Sequence, residues 1–377
     1  MKFFNWLKIN KITAFLLFVF AVFTLHELPA QTDSIQATRE NSHTFTKLAL
    51  EVRADFSYDA NYPDSAGGFA HEYGFNGKYF NLAVGGEFGK GFSYFFRQRI
   101  IANKGTSSLF DNTDFLYLQW QINNQWALRA GKEALRVGGF EYDAAPIDVL
   151  FYTHFWGTIH CFQLAASVIY TDKSQHNQFA FQVGNSPYVY YTGTGSEWRK
   201  GLLAYSLYWA GSYPHFTALY SVNMFERKRG CFVNYISLGN KIQFGNFSWY
   251  IDYMNRAIDF THFFADFTAV SRMDYSFKDV NVFIKAGYDQ NMADEPGTLE
   301  PKEIMMVPGQ RYLFYGLGVE YRPAKHKNVR VHGYVAHAQT IDVPTSDVLG
   351  TISGNVGVTW DIDFLKYLRK QLNPSNL

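Results

Sequence analysis

Apolar and polar residues alternate along most of the chain after its first forty-odd residues. The clearest stretch is 48–59, where one set of alternate positions is apolar or aromatic and the other is mostly charged or polar. Period-two alternation puts the two sets on opposite faces of a β-strand. The apolar face comprises Leu48, Leu50, Val52, Ala54, Phe56 and Tyr58, and the other comprises Ala49, Glu51, Arg53, Asp55, Ser57 and Asp59.

The same pattern recurs often enough to predict about sixteen strands. Strands of soluble sandwiches are usually about 5–6 residues long, whereas a tilted strand that crosses a membrane needs about 9–11. Stretches such as 92–100, 232–244 and 352–362 reach the second length, although the alternation is less regular in the middle of the chain. The pattern therefore favours membrane-spanning strands.

The links between the predicted strands alternate between short and long. Short links fall at 89–91, 123–124, 245–246 and 278–279, whereas the longer ones include 60–70, 103–113, 184–199, 223–230, 255–266, 290–311 and 338–351. An up-and-down barrel with turns at one end and loops at the other gives this rhythm, and a Greek-key sandwich does not. The sequence thus predicts an all-β fold, a transmembrane up-and-down antiparallel β-barrel of about sixteen strands.

One link is unusual, because residues 135–155 are too long and too interrupted by Gly and Pro for a turn. This stretch reads LRVGGFEYDAAPIDVLFYTHF and follows the predicted fifth strand, which makes it the third long loop. A barrel of about sixteen strands encloses a water-filled lumen. We expect the third loop to fold into that lumen and to present Glu141, Asp143 and Asp148 at a constriction.

Basic residues occupy the inward phase of several strands. Arg53, Arg97, Arg99 and Arg129 fall on the first, third and fifth strands, which share one wall. A basic wall that faces an acidic loop would set a transverse field at the narrowest point. Lys285, Arg330 and His332 on late strands would extend this track, with Glu320 between them. The alternative is that these are ordinary lumen side chains wetted by a wide channel.

The two ends of the chain predict a secreted barrel. Lys2, Lys8 and Lys11 precede a short apolar segment, 12–25, which is the pattern of a cleavable signal peptide. We therefore divide the chain into a signal peptide, residues 1–30, a periplasmic N-terminal arm, 31–45, the transmembrane barrel, 46–364, and a short basic C-terminal tail, 365–377.

Composition limits the function. The chain has 34 Lys and Arg against 33 Asp and Glu, so it lacks the basic excess of a nucleic-acid-binding protein. Its 36 Phe and 26 Tyr coexist with a mean hydropathy of −0.19, which fits strands that are apolar on one face only. No spacing of Cys, His and Ser indicates a metal site or an enzyme, and no cofactor is expected.

The chain resembles the phosphate-selective porin O and P family, in the form common among Bacteroidetes. The resemblance is carried by GGFEYDAAPIDVLFY after the strand WALRAGK, by the sixteen-strand rhythm, and by the final VGVTWDID with its basic tail. It implies a homotrimeric diffusion channel whose anion preference comes from an arginine ladder and a third-loop constriction. Arg53, Arg97, Arg99 and Arg129 could form that ladder.

The expected function is passive diffusion of small hydrophilic or anionic solutes across the outer membrane of a Gram-negative bacterium. The acidic third loop favours a weak rather than a strong preference for phosphate-like anions. Two alternatives stay open, a sugar- or peptide-permeable channel and a barrel that serves as adhesin or scaffold without transport. The aromatic loop at 187–198 could stack sugars or anchor the barrel in the membrane.

Overall fold

The computed structural model describes residues 44–62, 68–100, 110–188, 201–257, 264–292, 309–323, 328–341 and 349–365. The predicted signal peptide, nearly all of the N-terminal arm, the C-terminal tail beyond residue 365 and most of the aromatic loop 187–198 lie outside these ranges.

Sixteen strands form one closed antiparallel barrel, in which each strand pairs with the next and the last pairs with the first. This confirms the predicted fold class. The strands are β1 (Thr44–Tyr62), β2 (Ala70–Phe88), β3 (Phe92–Arg99), β4 (Thr113–Gln121), β5 (Trp126–Ala134), β6 (Phe162–Thr171), β7 (Asn177–Asn185), β8 (Leu203–Ser212), β9 (Phe216–Lys228), β10 (Cys231–Phe244), β11 (Phe247–Ala257), β12 (Asp266–Phe277), β13 (Val280–Asn291), β14 (Gln310–Tyr321), β15 (Val329–Ile341) and β16 (Gly350–Asp363).

The barrel is apolar outside and polar inside. Ile284, Leu317 and Val335 lie side by side on three neighbouring strands and are 60%, 60% and 57% exposed. The inner face is polar, as β1 shows, because Arg53 and Asp55 of this strand are buried on the lumen side. A closed barrel pairs the backbone polar groups of every strand, so no open edge faces lipid.

The structure corrects one predicted link. Residues 223–230 were expected to form a long loop, but β9 continues to Lys228 and a turn at residues 229–230 leads directly into β10. Phe225 is fully buried against Tyr235, and Glu226 accepts hydrogen bonds from the backbone amides of Leu203 and Gly230. Polar residues that sequence patterning assigns to a loop are therefore lumen contacts of a longer hairpin.

Aromatic side chains gather at both ends of the strands. At the end with the short turns, Trp126 packs against Tyr170 with ring centroids 4.8 Å apart. At the opposite end, Tyr253 packs against Phe267 at 5.6 Å. Such belts are typical of the two membrane–water interfaces.

The third loop runs to residue 161 in the structure, six residues beyond the predicted 135–155. It contains the helices α1 (Phe140–Asp143) and α2 (His154–Thr158), separated by a 3-10 turn at Pro146–Asp148. Thr153 caps α2, since its hydroxyl accepts a hydrogen bond from the amide of Trp156 at 3.2 Å. Within the described residues, no helix has the length and apolar character needed to cross a membrane.

A charge placed on the outer surface tests the membrane orientation. Leu317→Arg is expected to lower the free energy of unfolding by about 2–4 kcal/mol, because a guanidinium facing hydrocarbon loses its hydration. The measurement is urea unfolding of the barrel in lipid vesicles. Leu317→Met is the matched control, and equal stability of the two variants would contradict an outward-facing Leu317.

Candidate functional site

The third loop lies directly on the inner wall at its first turn. The amide of Gly138 donates to the hydroxyl of Ser221 at 2.8 Å, and the amide of Gly139 donates to the carbonyl of Leu219 at 3.1 Å. A Cβ at Gly239 would lie 2.7 Å from the Cα of Gly139, whose φ is 106°. Glycine at these positions lets the loop backbone approach the strand backbone.

A dry cluster inside the barrel extends this attachment. Phe155 of the loop is 1% exposed and packs against Tyr235 of β10, whose hydroxyl bonds to that of Tyr188 at 2.7 Å. One side of the lumen therefore contains a packed apolar core. The cluster comprises Leu135, Val137, Phe155, Ile159, Tyr188, Ala204, Phe225, Val233, Tyr235 and Met254.

Glu141 is the buried centre of the loop's attachment. Its carboxylate accepts a 2.6 Å bond from the ammonium of Lys285 and two bonds from Thr153, one from the amide and one from the hydroxyl. The Lys285 ammonium also donates to the carbonyl of Phe151 at 2.6 Å, and Asp252 accepts a bond from the amide of Glu141. The buried pair is satisfied on both sides, which is the condition for keeping two charges out of water.

The tip of the loop is held by two arginines. Arg53 donates to the carbonyls of Ile147 and Val149 at 3.2 and 2.9 Å. Arg330 donates to the same Ile147 carbonyl at 3.0 Å and forms a 2.7 Å ion pair with Asp148. Both guanidiniums bind the loop rather than standing free in the lumen.

Asp55 supports the first of these arginines. Its carboxylate receives the guanidinium of Arg53 in a forked pair, with the shortest distance 2.7 Å, and lies 3.1 Å from Nε2 of His332. The predicted basic track on the late strands is thus part of the attachment of the third loop.

A cavity of about 950 Å³ lies between the third loop and strands β2–β5. Its lining has more positive than negative side chains, six against four. The basic residues are Lys78, Arg97, Arg99, Arg129, Lys132 and Arg136, and the acidic residues are Asp111, Asp114, Glu133 and Asp143.

Three predicted arginines lie on this basic wall. Arg97 and Arg99 share Asp114, at 2.9 and 2.8 Å, so one carboxylate faces two guanidiniums. Arg129 donates twice to the side-chain oxygen of Gln119, at 3.0 and 2.7 Å, and stacks on the ring of Tyr117 at 4.3 Å. These contacts fix the arginines while leaving the wall with excess positive charge.

Lys132 joins the same wall although its strand phase points outward. Gly131, with φ 135°, lies too close to the carbonyl of Leu116 to accommodate a side chain. Lys132 lies near the end of β5, lines the cavity, is 3% exposed and donates to the carbonyl of Phe110 at 2.6 Å. The cavity lining therefore includes a cation that simple alternation places in the membrane.

Arg136, at the start of the third loop, is the basic residue that patterning missed. Two buried side-chain amides fix its backbone. The N–H of Arg136 donates to Oε1 of Gln182, and its carbonyl accepts from Nδ2 of Asn223, both at 2.8 Å. Among the described residues its guanidinium has no hydrogen-bond or ion-pair partner, only the ring of Tyr208 at 5.9 Å. Burial lowers the pKa of Arg136, and Arg129 nearby adds to that effect.

The loop surface that faces the cavity differs from the predicted acidic face. Of the three predicted carboxylates only Asp143 lines the cavity; Glu141 is bound to Lys285, and Asp148 is paired with Arg330. Glu141 and Asp148 therefore bind cations of the late strands, β13 and β15, and do not face the cavity. Many of the other loop residues that line the cavity are small or aromatic, and they include Ala144, Ala145, Pro146, Tyr152, Trp156, Gly157 and Thr158.

The predicted site residues thus form two groups. Arg97, Arg99, Arg129 and Asp143 surround the cavity. Arg53, Lys285, Arg330, Glu141 and Asp148 join the third loop to the wall. No group of His, Cys, Asp and Glu in the described ranges has the geometry of a metal site.

A closed sixteen-stranded barrel whose lumen is narrowed by its third loop defines an outer-membrane porin, a channel-forming protein of the outer membrane. Residues 47–233 match the family described as phosphate-selective porin O and P. Over this region the chain is similar to that family, as the sequence resemblance predicted.

Solved structures agree with this fold. An anion-selective porin from Comamonas acidovorans has 12% identity and a TM-score of 0.58, covering 85% of this chain and all (100%) of that one. The outer membrane channel DcaP of Acinetobacter baumannii has 10% identity and a TM-score of 0.59, covering 87% and 100%. OmpT of Vibrio cholerae in its trimer form has 11% identity and a TM-score of 0.52, covering 85% and 99%. No curated protein matches the chain.

Removing the charge at the centre of the attachment should loosen the loop. Glu141→Gln leaves the Lys285 ammonium buried without a counter-charge and is expected to lower the free energy of unfolding by about 3–5 kcal/mol. Open-channel current noise should rise as well, because the loop then fluctuates in the lumen.

Asp148→Asn is the matched control, since the side chain of Asp148 is 53% exposed and a solvated ion pair contributes only about 0–1 kcal/mol. Urea unfolding in vesicles and single-channel recording make the comparison. Equal losses of stability in the two variants would show that Glu141 is not the centre of the attachment.

Proposed function

We propose that the protein is a passive diffusion channel for small hydrophilic solutes with a weak preference for anions, and that it works as a channel rather than as an enzyme. The observation that carries this proposal is the cavity beside the third loop, whose lining contains six basic and four acidic side chains. Excess positive charge between low-dielectric walls raises the local concentration of anions.

The preference is set by the way in which the charges pair. Asp114 is shared by Arg97 and Arg99, and Glu133 lies 3.4 Å from Arg129. Arg136 forms no hydrogen bond or ion pair with a carboxylate of the described residues, although Glu133 lies near enough to attract its charge. An anion that passes Arg136 supplies the missing counter-charge. Nearby Asp143 offsets part of that attraction, which is why the preference is weak and release is fast.

We propose a homotrimer as the assembled state in the lipid of the outer membrane, reached after removal of a signal peptide at residues 1–30. Two observations support an assembly. Strands β3–β8 have 8–10 residues, whereas β1 and β2 have 19 each, so one side of the barrel is short. A structure with the same fold, OmpT of Vibrio cholerae, is described in a trimer form.

Neutralising the unpaired arginine tests the proposal directly. In planar bilayers under a KCl gradient, the native protein should show step conductance and a reversal potential on the anion side. Arg136→Gln should move that potential towards zero without reducing the free energy of unfolding, because it removes a buried charge that has no described partner.

Lys173→Gln, in the exposed turn between β6 and β7, removes the same charge away from the cavity and should leave the potential unchanged. Absence of step conductance would overturn the channel. Cation selectivity of the native protein would overturn the anion preference.

The proposal also predicts a pH dependence. Burial raises the pKa of Asp143 above its ordinary 3.8, with Arg136 opposing that rise. As the pH falls towards this raised pKa, Asp143 binds a proton and the cavity loses a negative charge. Anion preference in bilayer recordings should therefore increase below neutral pH, and Asp143→Asn should show the higher preference at neutral pH already.

Asp172→Asn provides the control, because hydrogen bonds from Asn177 and its neighbours hold the pKa of Asp172 at about 2 and it stays charged throughout this range. Identical pH profiles of the native protein and Asp143→Asn would exclude Asp143 as the titrating group.

A further inference from the structure

The cavity beside the third loop has two unlike sides. Strands β2–β5, together with Arg136 at the start of the third loop, supply the basic side, and the proposed anion preference uses only that side. The rest of the loop supplies the other side, whose aromatic side chains include Tyr152 and Trp156. Anion preference alone gives these two rings no role.

Tyr152 and Trp156 form a pair of adjoining rings. Their centroids are 4.6 Å apart and their planes are inclined by 40°. Tyr152 is 45% exposed, and Trp156 is half-buried. A Cβ at Gly157 would lie 2.6 Å from Cε2 of Tyr152, so the tyrosine ring rests on the backbone of α2. The remaining ring surface faces the pore.

The neighbouring aromatics of the loop behave differently. Phe151 packs between Phe283 and Tyr334 on the barrel wall, and Phe155 is buried in the core cluster. Two aromatic rings of the loop thus pack against the barrel wall, whereas Tyr152 and Trp156 line the cavity. Exposed aromatic surface in a recessed cavity is typical of a ligand-binding site.

The pair is also held rigidly. Thr153, between the two rings in sequence, is fully buried and bonds through its hydroxyl to both Glu141 and the amide of Trp156. The attachment that fixes the loop thus fixes the orientation of the rings. A preorganised surface binds a ligand without first losing side-chain freedom.

Cations of the basic side remain accessible in the same cavity. The side chains of Arg99 and Arg129 are 26% and 23% exposed, and the Arg136 guanidinium has no described partner. A solute that uses both walls must be negative at one end and flat and apolar at the other. A cavity of about 950 Å³ accommodates such a molecule.

We propose that the constriction selects aromatic carboxylates, with the ring against Tyr152 and Trp156 and the carboxylate towards the basic wall. This deepens the proposed anion-preferring channel and rests on it. Aromatic rings pair in offset or edge-to-face geometry, and a carboxylate forms charge-assisted hydrogen bonds with guanidinium. Inorganic phosphate would use only the basic wall, and a neutral sugar only the rings.

The test compares benzoate with cyclohexanecarboxylate on the full-length protein in planar bilayers. The two anions have the same charge and similar size, but the saturated ring is puckered and has no π-face. The measurement is the concentration of each that halves the chloride current. Benzoate should act at a concentration about three- to tenfold lower in the native protein.

Tyr152→Leu and Trp156→Leu should each bring the two half-blocking concentrations to within about twofold of each other, since each removes one ring of the pair. Tyr213→Leu, at an exposed turn outside the cavity, should keep the native difference. Loss of the benzoate advantage in that control, or its retention in both loop variants, would overturn the proposal.

Measurements on the native protein distinguish a failure of the aromatic selectivity from a failure of the anion preference. Equal half-blocking concentrations together with an anion-side KCl reversal potential would overturn the aromatic selectivity and leave the anion-preferring channel standing. A cation-side reversal potential would overturn the channel's anion preference itself.

Discussion

The buried attachment of the third loop to the barrel wall determines the rest of this structure. A barrel of sixteen strands would otherwise enclose a wide water-filled lumen. Glu141 and Lys285 leave water together, and Arg53 and Arg330 satisfy the carbonyl of Ile147 at the loop tip. Because each of these charges has a partner, the loop can lie in the lumen without the large cost of an unpaired buried ion.

This attachment also decides which charges a solute meets. Lys285 and Arg330 are inward-facing cations, but the loop neutralises them. On the other side of the lumen Asp114 pairs with two arginines, and Arg136, at the start of the loop, forms no ion pair with a carboxylate of the described residues. The electrostatic character of the pore therefore depends on pairing rather than on how many basic residues point inward. Only the unpaired excess acts on a passing ion.

The strands could be predicted because lipid outside and water inside impose a period of two on each of them. The prediction failed where that rule had a local exception. At residues 223–230, polar side chains such as Glu226 find partners in the lumen and continue the strand. Near the end of β5, Lys132 lines the cavity against its strand phase and bonds to the carbonyl of Phe110. Both exceptions depend on contacts with residues distant in sequence.

The sequence by itself determined the barrel, an approximate count of its strands and the position of the third loop, which enters the lumen. Alternation and link length are local properties, and they are enough for those conclusions. Only the tertiary structure decided which way each loop side chain faces. Glu141 binds the wall, Asp143 faces the pore, and Tyr152 and Trp156 form its aromatic side. A loop without a repeating period carries no local signal for these directions, because they are set by the partners it meets across the lumen.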